Sequence, residues 1–255
     1  MTKEFLAGFQ FIKAEKKYDD RILVVTLSRP PVNAFIKESY EELSSIIHYA
    51  NNDPEICVVL LKSDQRIFSA GADVKQLAKD SVEEAARRRP KLRKAGDDLY
   101  NCQVPLIVAV NGAAVGAGAV FAATGDIIIV SEDAFFSIPE INVGVVGAAT
   151  ALKRLLPPQK IRALALTGGK ITAQELYNLG AVEAVVPTDE LQEKALAYAK
   201  LVADKGYLAV RKWKESLLVT ETVGPREGLL IEQCLSQELS LAYPAPTIIK
   251  QEVKL

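Results

Sequence analysis

The sequence has one histidine, three cysteines, almost no net charge, and no apolar run near the roughly 18 residues that a membrane-spanning helix requires. Each scarcity removes a class of mechanism. A nucleophile activated by imidazole would have to use His48, which lies in Tyr40 to Asn51, a stretch rich in Leu and Ile at helical spacing with no strained nucleophile turn beside it. Cys57, Cys102 and Cys234 are widely spaced, odd in number and free of any C-x-x-C pair. That spacing argues against a disulfide framework and a zinc site, and it reads the three as small buried hydrophobes. No metal is expected. With 31 basic against 32 acidic residues, the chain generates no global field to attract nucleic acid or an anionic membrane. Met1 to Lys17 carries no secretory apolar run, so the expected location is cytoplasmic and the expected protein soluble.

What is present is core material: 255 residues, 49% hydrophobic, enough for one large α/β domain or one domain with a small appendage. Phe9 to Lys17 and Arg21 to Ser28 flank Tyr18-Asp19-Asp20 and predict a hairpin. Helix and strand patterns then alternate. Lys37 to Asn51, Val82 to Asn101, Ala117 to Ala123, Gln159 to Leu166 and Ala173 to Leu179 read as helices. Ile56 to Lys62, Pro105 to Val110, Asp126 to Val130 and Val182 to Val186 read as buried strands. Glu190 to Lys205 and Tyr207 to Thr220 are helical, with Tyr207 and Trp213 expected in the core. Leu156-Pro157-Pro158 is read as a helix end. The order predicts a mostly parallel α/β core over 1–187 and a helical C-terminal region over 188–255.

Two glycine turns follow strands and precede helices. Phe68-Ser69-Ala70-Gly71-Ala72-Asp73 lies after the strand ending at Lys62, and Asn111-Gly112-Ala113-Ala114-Val115-Gly116-Ala117-Gly118 opens a small-residue helix. Such junctions leave backbone N–H donors unpaired, and two donors on one oxygen form an oxyanion hole, each worth ~3 kcal/mol. Glycine and alanine would equally serve close packing of strand on helix. A dinucleotide fingerprint fails, because Phe121 stands where the third glycine belongs.

These segments resemble the crotonase, or enoyl-CoA hydratase/isomerase, superfamily from about Phe11 to Pro187. The resemblance rests on Arg29-Pro30-Pro31-Val32-Asn33-Ala34, the 68–73 turn, Val108-Ala109-Val110-Asn111-Gly112, Ile138-Pro139-Glu140 with Gly144, and Leu166-Thr167-Gly168 with Ile171-Thr172-Ala173. It implies a spiral of ββα units, an acyl-coenzyme A substrate, no cofactor beyond that coenzyme A moiety, and a homotrimer or dimer of trimers. By the same resemblance the oxyanion donors fall on Ala72 and Ala117, the latter usually glycine, and the base on Glu140. Val32, Ala34, Ser69, Ala70, Gly71, Asp73, Val74, Gly116, Val120 and Gly144 are implied to border the substrate. The C-terminus departs from the family pattern, ending in Tyr243-Pro244-Ala245-Pro246-Thr247 and a short tail.

Family hydratases use two glutamates, and the first would fall where this chain has Val120. An aspartate eight residues after the glutamate, the dienoyl isomerase and dehalogenase pattern, is replaced by Ala148. One acid remains, as in the Δ3,Δ2-enoyl-CoA isomerases, with hydration, thioester hydrolysis and decarboxylation as alternatives on the same scaffold. Ile138, Val120, Phe121 and Phe136 would raise the pKa of Glu140 by desolvation. The run Arg87-Arg88-Arg89-Pro90-Lys91-Leu92-Arg93-Lys94 reads as a solvated helix face, with a non-catalytic RNA- or CoA-binding module as the competing class.

Overall fold

In the computed structural model, which describes residues 2–79 and 81–242, a short helix α1 (Thr2–Ala7) precedes the expected hairpin. β1 (Ile12–Lys17) and β2 (Ile22–Leu27) pair antiparallel, with Ile12 opposite Leu27. β1 alternates between sheltered and exposed side chains, while all six residues of β2 are buried. A strand covered on both faces has no use for alternation and reads as a continuous apolar run.

The chain continues through α2 (Lys37–Asn52), β3 (Val58–Ser63), α3 (Val74–Leu77), α4 (Val82–Tyr100), β4 (Leu106–Val110), β5 (Ala113–Val115) and α5 (Ala117–Ala123). Next come β6 (Ile127–Ser131), β7 (Phe135–Ser137), a 3-10 turn over Pro139–Val143, α6 (Ala149–Leu152), α7 (Pro158–Thr167), β8 (Lys170–Thr172) and α8 (Ala173–Asn178). β9 (Ala184–Val186), α9 (Leu191–Ala203), α10 (Tyr207–Thr220) and α11 (Pro225–Ala242) complete it.

The larger sheet runs β1-β2-β3-β4-β6-β9 and is parallel from β2 onward; the smaller runs β5-β7-β8. Consecutive turns therefore deliver one long strand to the large sheet and one short strand to the small sheet before a helix, as in β4-β5-α5 and β6-β7. In the turn begun by β3 the second strand shrinks to a single bridge, Ser69 with Ala114. This is the crotonase-type ββα spiral with a helical C-terminal region.

Alternate side chains of the large sheet feed two cores. Leu23, Val25, Leu27, Val59, Leu61, Val108 and Val110 pack beneath α2, α4 and α5, while Ile22, Val24, Val58, Leu60, Ile107 and Ile129 pack against Leu191, Ala195, Ala199 and Ala203 of α9. α10 is tied down by a buried ion pair. Lys214, 1% exposed, donates to both carboxylate oxygens of Asp126 at 2.6 and 2.8 Å, and Asp126 also accepts the Leu106 N–H.

Some expectations change. Pro158 begins α7 and does not follow a helix end, because a residue without an N–H fits the first helical turn. Trp213 is 62% exposed and so is not a core residue, while Tyr207 packs on the α9 core. Cys57 and Cys102 are buried but Cys234 is exposed. Arg88 is buried, so the basic run is not uniformly solvated. Three-residue β5, β7 and β8 are too short to announce themselves by periodicity. Tyr243 to Thr247 lie outside the described residues. Among the described residues no helix is long and apolar enough to cross a membrane.

Candidate active site

The first glycine turn is knitted to the loop after β2 by buried polar groups. Asn33, at φ +49, donates from Nδ2 to Ser63 Oγ and the Phe68 carbonyl, and its Oδ1 accepts the Arg29 N–H. Ser69, fully buried, donates its hydroxyl to the Asn33 carbonyl at 2.7 Å and accepts the Gly71 N–H at 3.0 Å. The Ala70 N–H goes to the Val32 carbonyl at 2.9 Å. Ser69, Ala70 and Val32 thus spend these groups on building the turn.

Beyond Gly71 the chain pairs with Phe35: the Phe35 N–H donates to the Gly71 carbonyl at 2.7 Å, and the Asp73 N–H to the Phe35 carbonyl at 2.9 Å. A trans peptide is planar with its C=O and N–H opposed. The Gly71 carbonyl faces Phe35, so the Ala72 N–H points the other way.

The second turn arrives beside the first. Gly116, at φ +53 and ψ −118, caps α5, and its own N–H donates to the Ser137 carbonyl. A methyl added at Gly71, where φ is +83, would stand 2.5 Å from the Val115 carbonyl oxygen and 3.3 Å from the Ala117 nitrogen. Only glycine allows this approach. Among the described residues, neither the Ala72 N–H nor the Ala117 N–H has an acceptor. Ala117 is 7% exposed and Ala72 half-buried.

Glu140 sits in the 3-10 turn that follows β7. Gly144, left-handed at φ +67, ends that turn with nothing within 4 Å of where a side chain would start. A methyl on Gly116 would lie 2.9 Å from Glu140 Oε1, so the missing side chain makes room for the carboxylate. Oε2 is buried and has no partner among the described residues. Burial pushes the Glu140 carboxyl above its ordinary 4.5, opposed by a smaller backbone hydrogen bond and with no contribution from a neighbouring charge. A solvated loop acid would show neither feature.

The other implied residues separate by role. Val120, half-buried and one turn into α5, packs near Gly96 of α4. Ala148 is half-buried at φ +66. Val74 is 62% exposed. The Ala34 carbonyl accepts from Arg29 Nη1 at 2.7 Å. Asp73 is engaged by its own chain: Oδ1 caps α3 through the Lys75 and Gln76 N–H groups, and Oδ2 lies 2.9 Å from Arg29 Nη2. The Arg29 guanidinium holds the Asp73 carboxyl below the usual range against the opposing effect of burial. Sequence pattern gave no sign of this pairing across 44 positions, nor of the buried, unpartnered Gln76 Oε1. Two surface clefts of about 410 and 390 Å³, lined by Phe5, His48 and Tyr49 and by Tyr177, Glu183 and Val185, lie at residues other than these.

Fold and site together describe an α/β spiral in which two unengaged amides lie on adjoining turns and a partly desolvated acid lies against the second turn. Residues 17–239 match the enoyl-CoA hydratase/isomerase family. The chain is 36% identical to the Rhodococcus jostii (7aS)-7a-methyl-1,5-dioxo-2,3,5,6,7,7a-hexahydro-1H-indene-carboxyl-CoA hydrolase over 88% of its length and 87% of that protein's. It is 33% identical to a probable mitochondrial enoyl-CoA hydratase of Dictyostelium discoideum, covering 91% of this chain and 83% of that one. The crystal structure of the Bacillus anthracis enoyl-CoA hydratase superposes with a TM-score of 0.85 at 29% identity, over 89% of this chain and 90% of that one. The chain belongs to the enoyl-CoA hydratase/isomerase family, within the crotonase superfamily, whose substrates are CoA thioesters.

Proposed function

We propose that the chain binds a 3-enoyl-CoA and shifts its double bond to the 2,3 position with Glu140 as the only acid–base group. The observation that carries this reading is a desolvated carboxylate with an unpartnered oxygen at a site where Val120 and Ala148 supply no second acid. Glu140 removes the α-proton. The C2–H electrons form a new C2=C3 bond through an enolate whose oxygen is held by the Ala72 and Ala117 amides. The C3=C4 pair then takes the proton back from Glu140 at the γ-carbon. One base suffices because the proton is returned, whereas adding water across a double bond needs a second group to steer the water.

A second reading is hydrolysis, favoured by the hydrolase name of the 36%-identical Rhodococcus relative. In it Glu140 takes a proton from water, whose oxygen adds to the thioester carbonyl while the same amides hold the oxyanion; collapse breaks the C–S bond and the departing coenzyme A thiolate takes the proton from Glu140. An assay of 3-enoyl-CoA, 2-enoyl-CoA and a cyclic dioxo acyl-CoA separates the readings. Isomerisation supports the first; hydration of crotonyl-CoA without isomerisation, or hydrolysis alone, overturns it.

The resemblance also implies a homotrimer or dimer of trimers. Trp213 and Leu217 of α10 and Leu229, Leu230 and Leu241 of α11, all more than half exposed, support an interface on that helical pair. Sedimentation equilibrium tests it, and a monomer at micromolar concentration refutes it. Against the RNA-binding alternative stand Lys94 paired with Asp98 and Lys91 with Glu41 at 2.8 Å, which neutralise part of the helix face.

A further inference from the structure

We infer that Arg29 and Asp73 form a cross-brace that fixes the direction of the Ala72 N–H, making Arg29 a positioning residue for enolate formation. The inference rests on the reading of Ala72 as an oxyanion donor. It starts from an arrangement of four contacts around one peptide. Gly71 and Asp73, on either side of Ala72, are both bonded to the backbone of Phe35. Those bonds reach the peptide through the backbone of one residue, and the pairing of Ser69 with the Ala113 carbonyl and the Val115 N–H anchors the turn only as far as Ser69.

Arg29 adds a tie on the far side of Ala72. From the start of the loop its Nη1 donates to the Ala34 carbonyl at 2.7 Å, just before Phe35, and its Nη2 reaches Asp73 Oδ2 at 2.9 Å, just after Ala72. The planar fork fixes the distance and the angle between those two points, which a lysine cannot do. Its own backbone N–H is held by Asn33 Oδ1 at 2.7 Å, and Asn33 is anchored on Ser63 at the end of β3. The chain of contacts therefore runs from the rigid sheet, through Asn33 and Arg29, to the peptide that carries the donor. Asp73 is divided between two duties by its two oxygens, Oδ1 for the α3 cap and Oδ2 for the brace.

The pair is only partly buried, with side-chain exposures of 26% and 15%. Such pairs contribute little to global stability. Placement of a donor is far more sensitive, since an error of about 1 Å costs roughly 10²-fold in rate. The brace should therefore show itself in chemistry before it shows itself in folding.

The test uses butyryl-CoA labelled with ¹³C at the carbonyl, a thioester without a double bond to move. The infrared C=O stretch of the bound probe reads the amide contacts directly, and α-proton exchange in D₂O reads enolisation. In the native chain the stretch should shift to lower frequency on binding, and exchange should be catalysed. Arg29→Gln and Asp73→Asn should each lose most of the shift and about 10²-fold of the exchange rate, with probe affinity within tenfold and melting temperature nearly unchanged. Asp73→Asn keeps an oxygen for the cap and so isolates the brace. The double variant should be no worse than either single one, because both remove the same link, and Arg29→Lys should recover part of the loss. Variants that keep the native shift and exchange rate overturn the brace while leaving the site reading intact. A native chain with neither shift nor exchange overturns the oxyanion reading itself, and the brace with it.

Discussion

Replacing Glu140 with glutamine is the perturbation that most directly probes the chemistry, because it keeps the shape and removes only the charge and the basic lone pair. A positioned general base contributes on the order of 10²–10⁴-fold, so turnover should fall by at least that factor, roughly 3–5 kcal/mol of barrier. Binding of an unreactive acyl-CoA should stay within about tenfold, or ~1.4 kcal/mol, since neither oxygen is proposed to hold coenzyme A. Stability gives an independent sign. A carboxyl whose folded pKa is raised binds protons more tightly folded than unfolded, so wild-type stability falls as pH rises from the ordinary 4.5 through the raised folded value. Above that window the wild type carries a buried, unpartnered charge, while the variant carries an unpartnered amide that costs less. Thermal melts at pH 8 should place Glu140→Gln at or above the wild type, with the gap closing below pH 4.5. The acid limb of kcat/KM should likewise lie above the normal glutamate range. A variant that keeps turnover within tenfold, or that melts well below the wild type at pH 8, would refute the reasoning.

Gly116→Ala should place a methyl 2.9 Å from Glu140 Oε1 at a φ of +53, costing about 1–3 kcal/mol of stability in urea titrations and displacing the acid; full activity would contradict the packing. Gly71→Ala forces a methyl to within 2.5 Å of the Val115 carbonyl, so the two turns must part and both stability and turnover should drop, the latter by about 10²-fold. Lys214→Ala should cost about 3–5 kcal/mol in denaturant unfolding by leaving Asp126 only the Leu106 N–H and Arg154 at 3.9 Å, whereas Lys214→Met with Asp126→Asn, which keeps an acceptor for that N–H, should recover part of it. A double variant no better than the single one would show that the charge itself is needed.

Much of the architecture was legible because the signals were local. Largely apolar Ile22–Leu27 announced the second strand of a hairpin and Leu106–Val110 a buried strand, and the helices 117–123 and 207–220 fall where their patterns put them. Runs of three residues carry no period, so the small sheet was invisible. Trp213 misled because an aromatic at helical spacing gives no indication of which helix faces meet a neighbour. At the candidate site, the single acid and the two glycine turns could be picked out from residue identities, but their convergence could not.

By itself the sequence determined the inventory: Glu140 with no acid at 120 or 148, glycines at 71 and 116, and a single histidine in a helical stretch. Tertiary structure alone decided what those residues are worth. Whether Glu140 is desolvated, whether Asp73 faces substrate or Arg29, and whether two amides 45 positions apart lie side by side all depend on strands paired across long separations. Desolvation and hydrogen bonding act over a few ångströms of space, and distance along the chain does not encode that space.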